Sequence, residues 1–452
     1  MRHLPLVAGG VLTALVSTSA MAQSFVETLV AVYNNSPGLA AQRAALRATD
    51  EGVPQALSNW RPTLSLSSEY GWRDQVTSGP RSSSDGVTHP FTNSLNLSQP
   101  LYRGGRTTAA TQSAEASVLA GRAALMTAEQ NVLFQGVSAY MDVVRDQAVV
   151  ELNRNNEQRL RRQLEATRDR FRVGEITRTD VAQAEARLSR AISDRVSSEG
   201  SLASSRAGFR RVAGEPPRQG ARPPPLPALP RTEDEAQGVA DEESPELSSA
   251  LHRESAARAD IRSTSGALLP TVSLNTTLSR AEDSGARDTT TETARVTLQL
   301  TMPLYEAGST YSQVRQRKQV HQQRRLEVDD SRRQVREAVT RAWEALTTAR
   351  ANIVARRAEV AANRVALDGV QQEAEVGART TLDVLDAEQE LLDSQVALVR
   401  AQRDEYVAGF QLQSAIGRLS ARRLGLPVDA YDPTENYQRV RNKWIGLDNG
   451  LD

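Results

Sequence analysis

The chain carries an internal duplication, which restricts it to folds made of two similar halves. Residues 61–66 (RPTLSL) return as residues 269–274 (LPTVSL), and residues 100–105 (PLYRGG) return as residues 303–308 (PLYEAG). Shorter matches keep the same order along the chain: Ser36-Pro37 with Ser244-Pro245, Val173-Gly174 with Val376-Gly377, and Asp180-Val181 with Asp383-Val384. Two structural units of about 200 residues, each built to one plan, are therefore predicted.

The N-terminus has the parts of a secretory signal. Arg2 precedes an apolar run at residues 4–16, and Ala20-Met21-Ala22 forms a small-residue cleavage site. This pattern predicts a signal peptide at residues 1–22. The alternative, an N-terminal membrane anchor, is less favoured because the apolar run is too short to span a bilayer. No other apolar run approaches about 20 residues, so the exported chain either stays soluble or enters a membrane as β-strands.

The composition excludes several classes of function. Lys and Arg together number 55, as do Asp and Glu, whereas a generic nucleic-acid binder needs a basic surplus. The chain has no Cys, which excludes disulfides, thiolate metal sites, catalytic thiols and a lipid-acylated cysteine. The four His residues lie far apart, and no Ser-His-Asp, His-Cys or Gly-rich phosphate motif stands out. The sequence therefore predicts no enzymatic activity, no cofactor, no metal site and no nucleic-acid partner.

Four segments of about ten residues alternate between apolar and polar side chains: residues 63–72, 91–98, 271–278 and 294–302. Such segments fit outer-membrane strands with one face towards lipid, although a half-buried sheet of a soluble protein has the same period. Trp60 and Trp72 bracket the first segment as an aromatic girdle would, and residues 73–90 and 280–292 form long polar loops typical of an extracellular surface. These details favour a barrel. Because four strands cannot close one, several chains must contribute strands.

Long helices are the larger signal, because no proline occurs in residues 103–215 or 306–426. Apolar residues recur every seven positions: Leu119, Met126, Leu133 and Tyr140, beside Val118, Leu125 and Val132; Val339, Leu346, Ile353, Val360 and Leu367; and, in a returning helix, Leu385, Leu392, Val399 and Tyr406. Sustained heptads predict coiled-coil packing. Gly174 and Gly377 interrupt the pattern, where we expect each helical hairpin to reverse through a left-handed glycine.

Three of these features together resemble the TolC family of outer-membrane efflux proteins. They are the signal peptide, the duplicated Pro-Leu-Tyr-x-x-Gly after a strand, and the duplicated Val-Gly-x-x-x-x-x-Asp-Val at a hairpin; the similarity covers essentially the whole mature chain. The resemblance implies a mainly α fold with a β-barrel portion, made of duplicated strand–strand–long-helix repeats. A homotrimer would form an α-helical barrel, a coiled-coil tunnel, joined to one shared twelve-stranded transmembrane β-barrel.

The resemblance also implies a location and partners. The protein is expected in the outer membrane of a Gram-negative cell, in contact with its lipid and with a long periplasmic extension. The expected partners are a periplasmic adaptor (membrane fusion) protein and an inner-membrane transporter of the RND or ABC type. Together they would form the exit duct of a tripartite efflux or type I secretion system, with drugs, polypeptides and metal ions all open as cargo. The alternative is a trimeric coiled-coil surface adhesin or a structural envelope protein with a barrel anchor.

This plan divides the chain into eight predicted segments. They are the signal peptide (1–22), N-terminal helices of the equatorial and upper tunnel (23–58), a first strand pair (59–101), a first long-helix hairpin (102–213), a Pro-rich linker with a repeat helix (214–266), a second strand pair (267–303), a second long-helix hairpin (304–421) and a polar C-terminal segment (422–452).

Acidic residues near the second hairpin turn are the candidate pore constriction. Asp383 and Asp386 are spaced i and i+3, so they share a helix face. The resemblance implies that these positions form the aperture, where a ring of acids from three copies holds cations and mutual repulsion raises some pKa values. Asp383 also fits a capping box at a helix start, as does Asp180. Capping does not explain Asp386, whose first-half counterpart is Gln183.

The same resemblance implies a gate latch and a docking surface at the two hairpin turns. Arg379 matches a basic residue that bonds adjacent coiled coils, and Thr179 and Asp180 match its neighbours in that latch. Ala374 departs from the family, which has an aromatic partner there, so the latch is predicted to be weaker or made through Arg379 alone. The turns themselves are the candidate adaptor-binding tips: Val173, Gly174, Glu175, Ile176, Thr177, Val376, Gly377, Ala378, Arg379 and Thr380.

Overall fold

The computed structural model describes residues 25–79, 82–217, 226–284 and 287–448. The predicted signal peptide at residues 1–22 and part of the predicted Pro-rich linker lie outside these residues. The structure divides into two compact units. The tip unit is drawn from Met1–Asn35, Gln135–Leu226 and Thr347–Val407, and the strand unit from Ser36–Phe134, Pro227–Leu346 and Ala408–Asp452.

Helices dominate the described residues. They are α1 (Phe25–Asn35), α2 (Pro37–Asp50), α3 (Gly52–Leu57), α4 (Arg106–Arg172), α5 (Arg178–Ala213), α6 (Glu233–Glu243), α7 (Pro245–Ser265), α8 (Ser309–Glu375), α9 (Thr381–Ala415) and α10 (Glu435–Val440). The strands are β1 (Thr63–Tyr70), β2 (Arg73–Gly79), β3 (Ser82–Thr88), β4 (Phe91–Arg103), β5 (Thr271–Glu282) and β6 (Thr290–Thr301). Strands followed by a long helical hairpin occur twice, which confirms the duplicated repeat and the mainly α fold.

Each repeat contains one very long helix that ends at a glycine. Helices α4 and α8 both have 67 residues, about 100 Å at 1.5 Å per residue. Gly174 follows α4 with φ +84°, and Gly377 follows α8 with φ +80°, a left-handed conformation that glycine adopts without strain. The chain then reverses into α5 or α9, which have 36 and 35 residues. The predicted helical hairpins and their glycine turns are confirmed.

Side-chain burial confirms part of the heptad pattern. The predicted heptad residues that are buried are Leu133, Tyr140, Val339, Leu346, Ile353, Leu385 and Leu392. Leu119 and Met126 are exposed instead, and the adjacent Val118 and Leu125 are buried. Of the two adjacent seven-residue series predicted there, the one with Val118 and Leu125 is buried at this end of α4, and Leu119 and Met126 are not in the core of the single chain. A straight helix turns every 3.6 residues, so a strict seven-residue stripe drifts around it and a neighbouring position takes over.

The strand unit contains a four-stranded antiparallel sheet in the order β1-β4-β5-β6. Residues directly opposite each other across neighbouring strands lie on the same face of a sheet. Leu66, Leu95, Leu278 and Ala294 form one such row across all four strands. The alternation read from the sequence therefore gives the sheet one apolar face, and β4 of the first repeat pairs with β5 of the second.

Two predicted loops are shorter than expected. Residues 73–90 contain the antiparallel hairpin of β2 and β3, which forms a separate two-stranded sheet. β5 continues to Glu282 and β6 begins at Thr290, so the predicted loop at residues 280–292 shrinks as well. The ladder hydrogen bonds of a strand come from the backbone, so polar sequence can continue the pairing without an apolar stripe.

Each unit has a helical core built around small side chains. In the strand unit, Ala236 and Ala240 of α6 belong to one buried cluster with Val339 of α8 and Leu412 of α9. In the tip unit, a Cβ on Gly136 of α4 would lie 3.0 Å from a methyl group of Val32 of α1, so any larger residue there would push Val32 aside. Among the residues that the structure describes, no helix combines the length and the apolar character needed to cross a membrane.

Candidate functional site

The first hairpin tip ends in a complete capping box. The Thr177 backbone N–H and hydroxyl both donate to Asp180 Oδ2, at 2.9 Å and 2.7 Å, and the Asp180 N–H donates to Thr177 Oγ1 at 3.3 Å. These bonds satisfy N–H groups that the first turn of α5 would otherwise leave unpaired. They also hold the pKa of Asp180 below its ordinary value.

The second tip repeats this arrangement. The Thr380 N–H and hydroxyl donate to Asp383 Oδ2, both at 2.9 Å, and the Asp383 N–H donates to Thr380 Oγ1 at 3.3 Å. The hydrogen bonds from Thr380 lower the pKa of Asp383, with a further contribution from the charge of Arg379. In the single chain Asp383 is therefore a helix-capping carboxylate, and the raised pKa expected from a ring of acids does not apply to it there.

Arg379 pairs within its own hairpin. Its Nε donates to Glu373 Oε2 at 2.9 Å, and this bond raises the pKa of the guanidinium. The first tip has an ion pair of its own, in which Arg170 Nε donates to Glu175 Oε2 at 3.0 Å. Thr179 is exposed in the first turn of α5. Among the described residues of one chain, the predicted latch of Arg379 with Thr179 is thus not assembled.

Asp386 makes a connection between the two hairpins. Its carboxylate accepts a hydrogen bond from Arg187 Nη2, which joins α9 to α5 by an ion pair. The Arg187 side chain is 27% exposed and that of Asp386 is 53% exposed. One of the two predicted constriction acids is therefore neutralised within its own chain, while the other caps a helix.

Packing beneath the ion pair sets its position. Leu385, the neighbour of Asp386, is buried in a cluster with Leu160 of α4 and Ala191 of α5. This contact packs α9 against the first hairpin, and it brings the exposed side chain of Asp386 next to that of Arg187. Arg187 was missed by the sequence reasoning. The difference between Gln183 and Asp386 signalled that Asp386 is special, but nothing in the sequence identified the helix that faces it.

A buried carboxylate lies further along α9. Glu388 is buried, and its Oε2 has no hydrogen-bond partner among the described residues. Burial raises the pKa of Glu388, and the charge of Arg159 on α4 opposes this rise. An uncompensated buried carboxylate costs stability at neutral pH, because the charged form prefers water.

A polar cleft lies between α4, α5 and α9 in the tip unit, with a volume of about 540 Å³. Its charged lining residues are Arg145, Asp146, Arg190, Asp194, Asp393 and Arg400. The cleft is lined by as many arginines as aspartates, so it favours neither cations nor anions. Across the described part of the chain, no group of three or more His, Cys, Asp or Glu side chains is arranged to hold a metal ion.

The hairpin turns themselves are open. Val173 and Val376 are exposed, and a Cβ added to Gly174 or Gly377 would meet no atom within 4 Å. Space is therefore free at both turns, although a positive φ disfavours any larger residue there.

Known proteins match this chain over almost its whole length. Residues 29–215 and 238–418 match the family described as outer membrane efflux protein. The outer membrane efflux protein BepC of Brucella suis biovar 1 is 36% identical over 446 residues, which cover 98% of this chain and 96% of that protein. The outer membrane protein TolC of Vibrio cholerae is 28% identical over 407 residues, covering 87% of this chain and 91% of that protein. The solved CmeC outer membrane channel of Campylobacter jejuni has a TM-score of 0.78 at 16% identity and covers 92% of this chain and 89% of that one.

The order of strands followed by a long helical hairpin, repeated twice in one chain, is that of the outer-membrane channels matched here. The chain belongs to the outer membrane efflux protein family. It is an outer-membrane exit channel for efflux or secretion, with a periplasmic extension. The predicted resemblance, function and location are confirmed, and the adhesin alternative is set aside. The family is one of channels, not of enzymes.

Proposed function

We propose that three copies of this chain form one channel, in which each copy contributes four strands to a shared barrel of twelve. The supporting observation is the strand order β1-β4-β5-β6, which leaves β1 and β6 as edges of the sheet in the described residues. Open sheet edges do not occur in lipid, and four strands are too few to close on themselves. Pairing β1 of one copy with β6 of the next removes every edge.

The absence of cysteine makes disulfide cross-linking a direct test. Ser67→Cys in β1 is combined in turn with Thr297→Cys or Gln299→Cys in β6, because the register between copies has to be scanned. Oxidation is expected to give covalent trimers on a non-reducing gel. The control pair is Asn96→Cys with Thr277→Cys, which face each other in β4 and β5 and should cross-link within one chain. Monomers from every β1–β6 pair, with the control pair cross-linked, would contradict the shared barrel.

The trimer would serve as the exit duct of a tripartite system with a periplasmic adaptor and an inner-membrane RND or ABC transporter. The sheet face opposite the apolar one supports a wet lumen: its side chains include the row Ser65, Asn96, Thr277 and Arg295. We propose no enzymatic step, because such a duct only guides its cargo. A deletion strain should become drug-sensitive or lose a secreted protein, and which of the two occurs identifies the cargo. If the parent strain expresses the chain and its deletion causes neither drug sensitivity nor loss of a secreted protein, the export role is contradicted.

We assign Asp383 and Asp386 to the pore constriction. Both lie in the first two turns of α9, directly after the turn at Gly377. The capping box fixes the Asp383 side chain, and its lowered pKa keeps it charged at neutral pH. The pair with Arg187 means that Asp386 offers its charge to a passing cation only when that pair opens.

The latch and docking roles are assigned to the remaining tip residues. Arg379 would exchange Glu373 for Thr179 and Asp180 of a neighbouring copy when the tips close. Its pair with Glu373 can be given up at little cost, because both side chains are about half exposed and exposed ion pairs are weak. The exposed turns around Val173 and Val376 would contact the adaptor, because they are open and carry small side chains.

A further inference from the structure

The C-terminal residues after α10 are fastened to the base of the sheet. Arg61, two residues before β1, donates from Nη1 to the Lys443 carbonyl oxygen at 2.7 Å. The same guanidinium lies over the Trp444 ring, 4.9 Å from its centroid, within the range of a cation–π contact. Trp444 is therefore held against Arg61, the residue that directly follows Trp60.

The segment that leads to this contact is also tied down. Asn436 donates to the buried Asp50 at 2.8 Å, and Arg441 pairs with Glu115 on α4 at 3.0 Å. Yet the residues beyond these bonds face outwards: Trp444 is 65% exposed, Ile445 is 91% exposed and Leu447 is fully exposed. Three large apolar side chains within four residues, on a fixed segment, are costly to leave in water at about 25 cal/mol per Å².

These side chains lie at one end of the sheet. All four strands of that sheet connect to helices at the same end, where Thr63 pairs with Ser98 and Thr271 pairs with Thr301. The helices extend into the periplasm, so this end is the periplasmic one. It already carries the exposed aromatic residues Tyr102 and Tyr305. Trp and Tyr concentrate at membrane–water interfaces, where Lys and Arg reach the phosphates.

We propose that residues 444–447, called the C-terminal anchor, insert into the phospholipid leaflet on the periplasmic side of the outer membrane. The occupant of this apolar surface is phospholipid, because the surface continues the periplasmic rim of the sheet and has the guanidinium of Arg61 beside it for the phosphates. The ammonium of Lys443 pairs with Asp448 at the far end of the segment. The exposed side chains of Trp444, Ile445 and Leu447 supply the apolar contact. The inference rests on the proposed membrane barrel.

Single-tryptophan variants test the anchor, since the chain has four tryptophans. Three trimers are compared in phosphatidylethanolamine–phosphatidylglycerol vesicles, each keeping one of Trp444, Trp60 or Trp343 and carrying Phe at the other three positions. Some vesicles contain a lipid brominated high on the acyl chain and others a lipid brominated near its end. Trp444 and Trp60 should lose fluorescence, and lose more with the shallow bromine. Trp343, which packs on the core cluster of the strand unit, should lose none.

The outcomes separate the anchor from the barrel. Loss of fluorescence for Trp60 but not for Trp444 overturns the anchor. Quenching by aqueous acrylamide then shows whether Trp444 is in water or is shielded by a second copy, and either result leaves the anchor overturned. No loss for either residue overturns the membrane barrel and the anchor together. A spin label at Ile445→Cys, in a chain that keeps all its tryptophans, should be more accessible to oxygen than to an aqueous nickel complex. The reverse order would overturn the anchor independently.

Discussion

Removing the guanidinium of Arg187 tests the gate most sharply. Its ion pair with Asp386 joins the two hairpins of one chain, and the two side chains are 27% and 53% exposed. Pairs with this much exposure contribute about 1 kcal/mol or less. The family resemblance implies that the tube opens by an untwisting of its inner helices. Because the ion pair joins the two hairpins of one chain, we expect opening of a trimer to break three such pairs together.

The size of the effect follows from this threefold repetition. Three pairs at about 1 kcal/mol give roughly 3 kcal/mol, or roughly a 100-fold change in the open population as an upper limit. Arg187→Gln should therefore raise the resting open probability by up to roughly 100-fold. The same change leaves Asp386 without its cationic partner, so block by trivalent cations should become tighter.

Planar-bilayer conductance of the purified trimer measures both effects. Arg190→Gln is the matched control, because Arg190 lies three residues further along α5 and pairs only at 3.9 Å with Asp194 of the same helix. Asp386→Asn should also raise the open probability but weaken cation block. Combining Arg187→Gln with Asp386→Asn then gives the coupling energy between the two side chains. An intact Arg187→Gln trimer with native open probability, or an equal effect of Arg190→Gln, would refute the reasoning.

Three further predictions concern the same region. Asp383→Ala with Asp386→Ala should abolish block by trivalent cations in bilayers; full block would leave both as ordinary helix-start residues. Gly377→Val, at φ +80°, should abolish export without loss of trimer, whereas Gly369→Ala, inside α8 with free space around it, should not; normal export by Gly377→Val would exclude this tip from docking. Burial raises the pKa of Glu388, so the penalty for burying its charge exists at neutral pH and vanishes on acidification. Glu388→Gln should therefore raise the free energy of unfolding by roughly 1 kcal/mol at pH 7 and leave it unchanged near pH 4; an equal gain at both pH values in denaturant melts would contradict this.

The architecture could be predicted from the sequence because it repeats and because its signals are local. Proline-free runs, heptads and Gly174 and Gly377 define the hairpins without knowledge of any contact. The capping boxes were also visible, since Thr and Asp three residues apart act within one turn. Arg187 was not visible, because its partner lies 199 residues away and depends on how α9 seats against the first hairpin. The hairpin of β2 and β3 was missed for a different reason: backbone pairing leaves no apolar pattern.

The ion pair of Arg187 also bears on the missing aromatic residue at Ala374. Ala374 lies in the last turn of α8, where its carbonyl oxygen accepts a hydrogen bond from the Gly377 N–H at 3.2 Å, and its methyl group cannot bond the opposite hairpin. We infer that the α5–α9 ion pair takes the place of the contact that the family resemblance implies for an aromatic residue at this position, because both would hold the second hairpin against its neighbour. The two contacts should then be interchangeable. Ala374→Tyr should return the open probability of Arg187→Gln towards the native value, and Ala374→Phe, which lacks the hydroxyl, should do so less. If Ala374→Tyr leaves the Arg187→Gln channel as open as before, the ion pair is not a substitute for the aromatic latch.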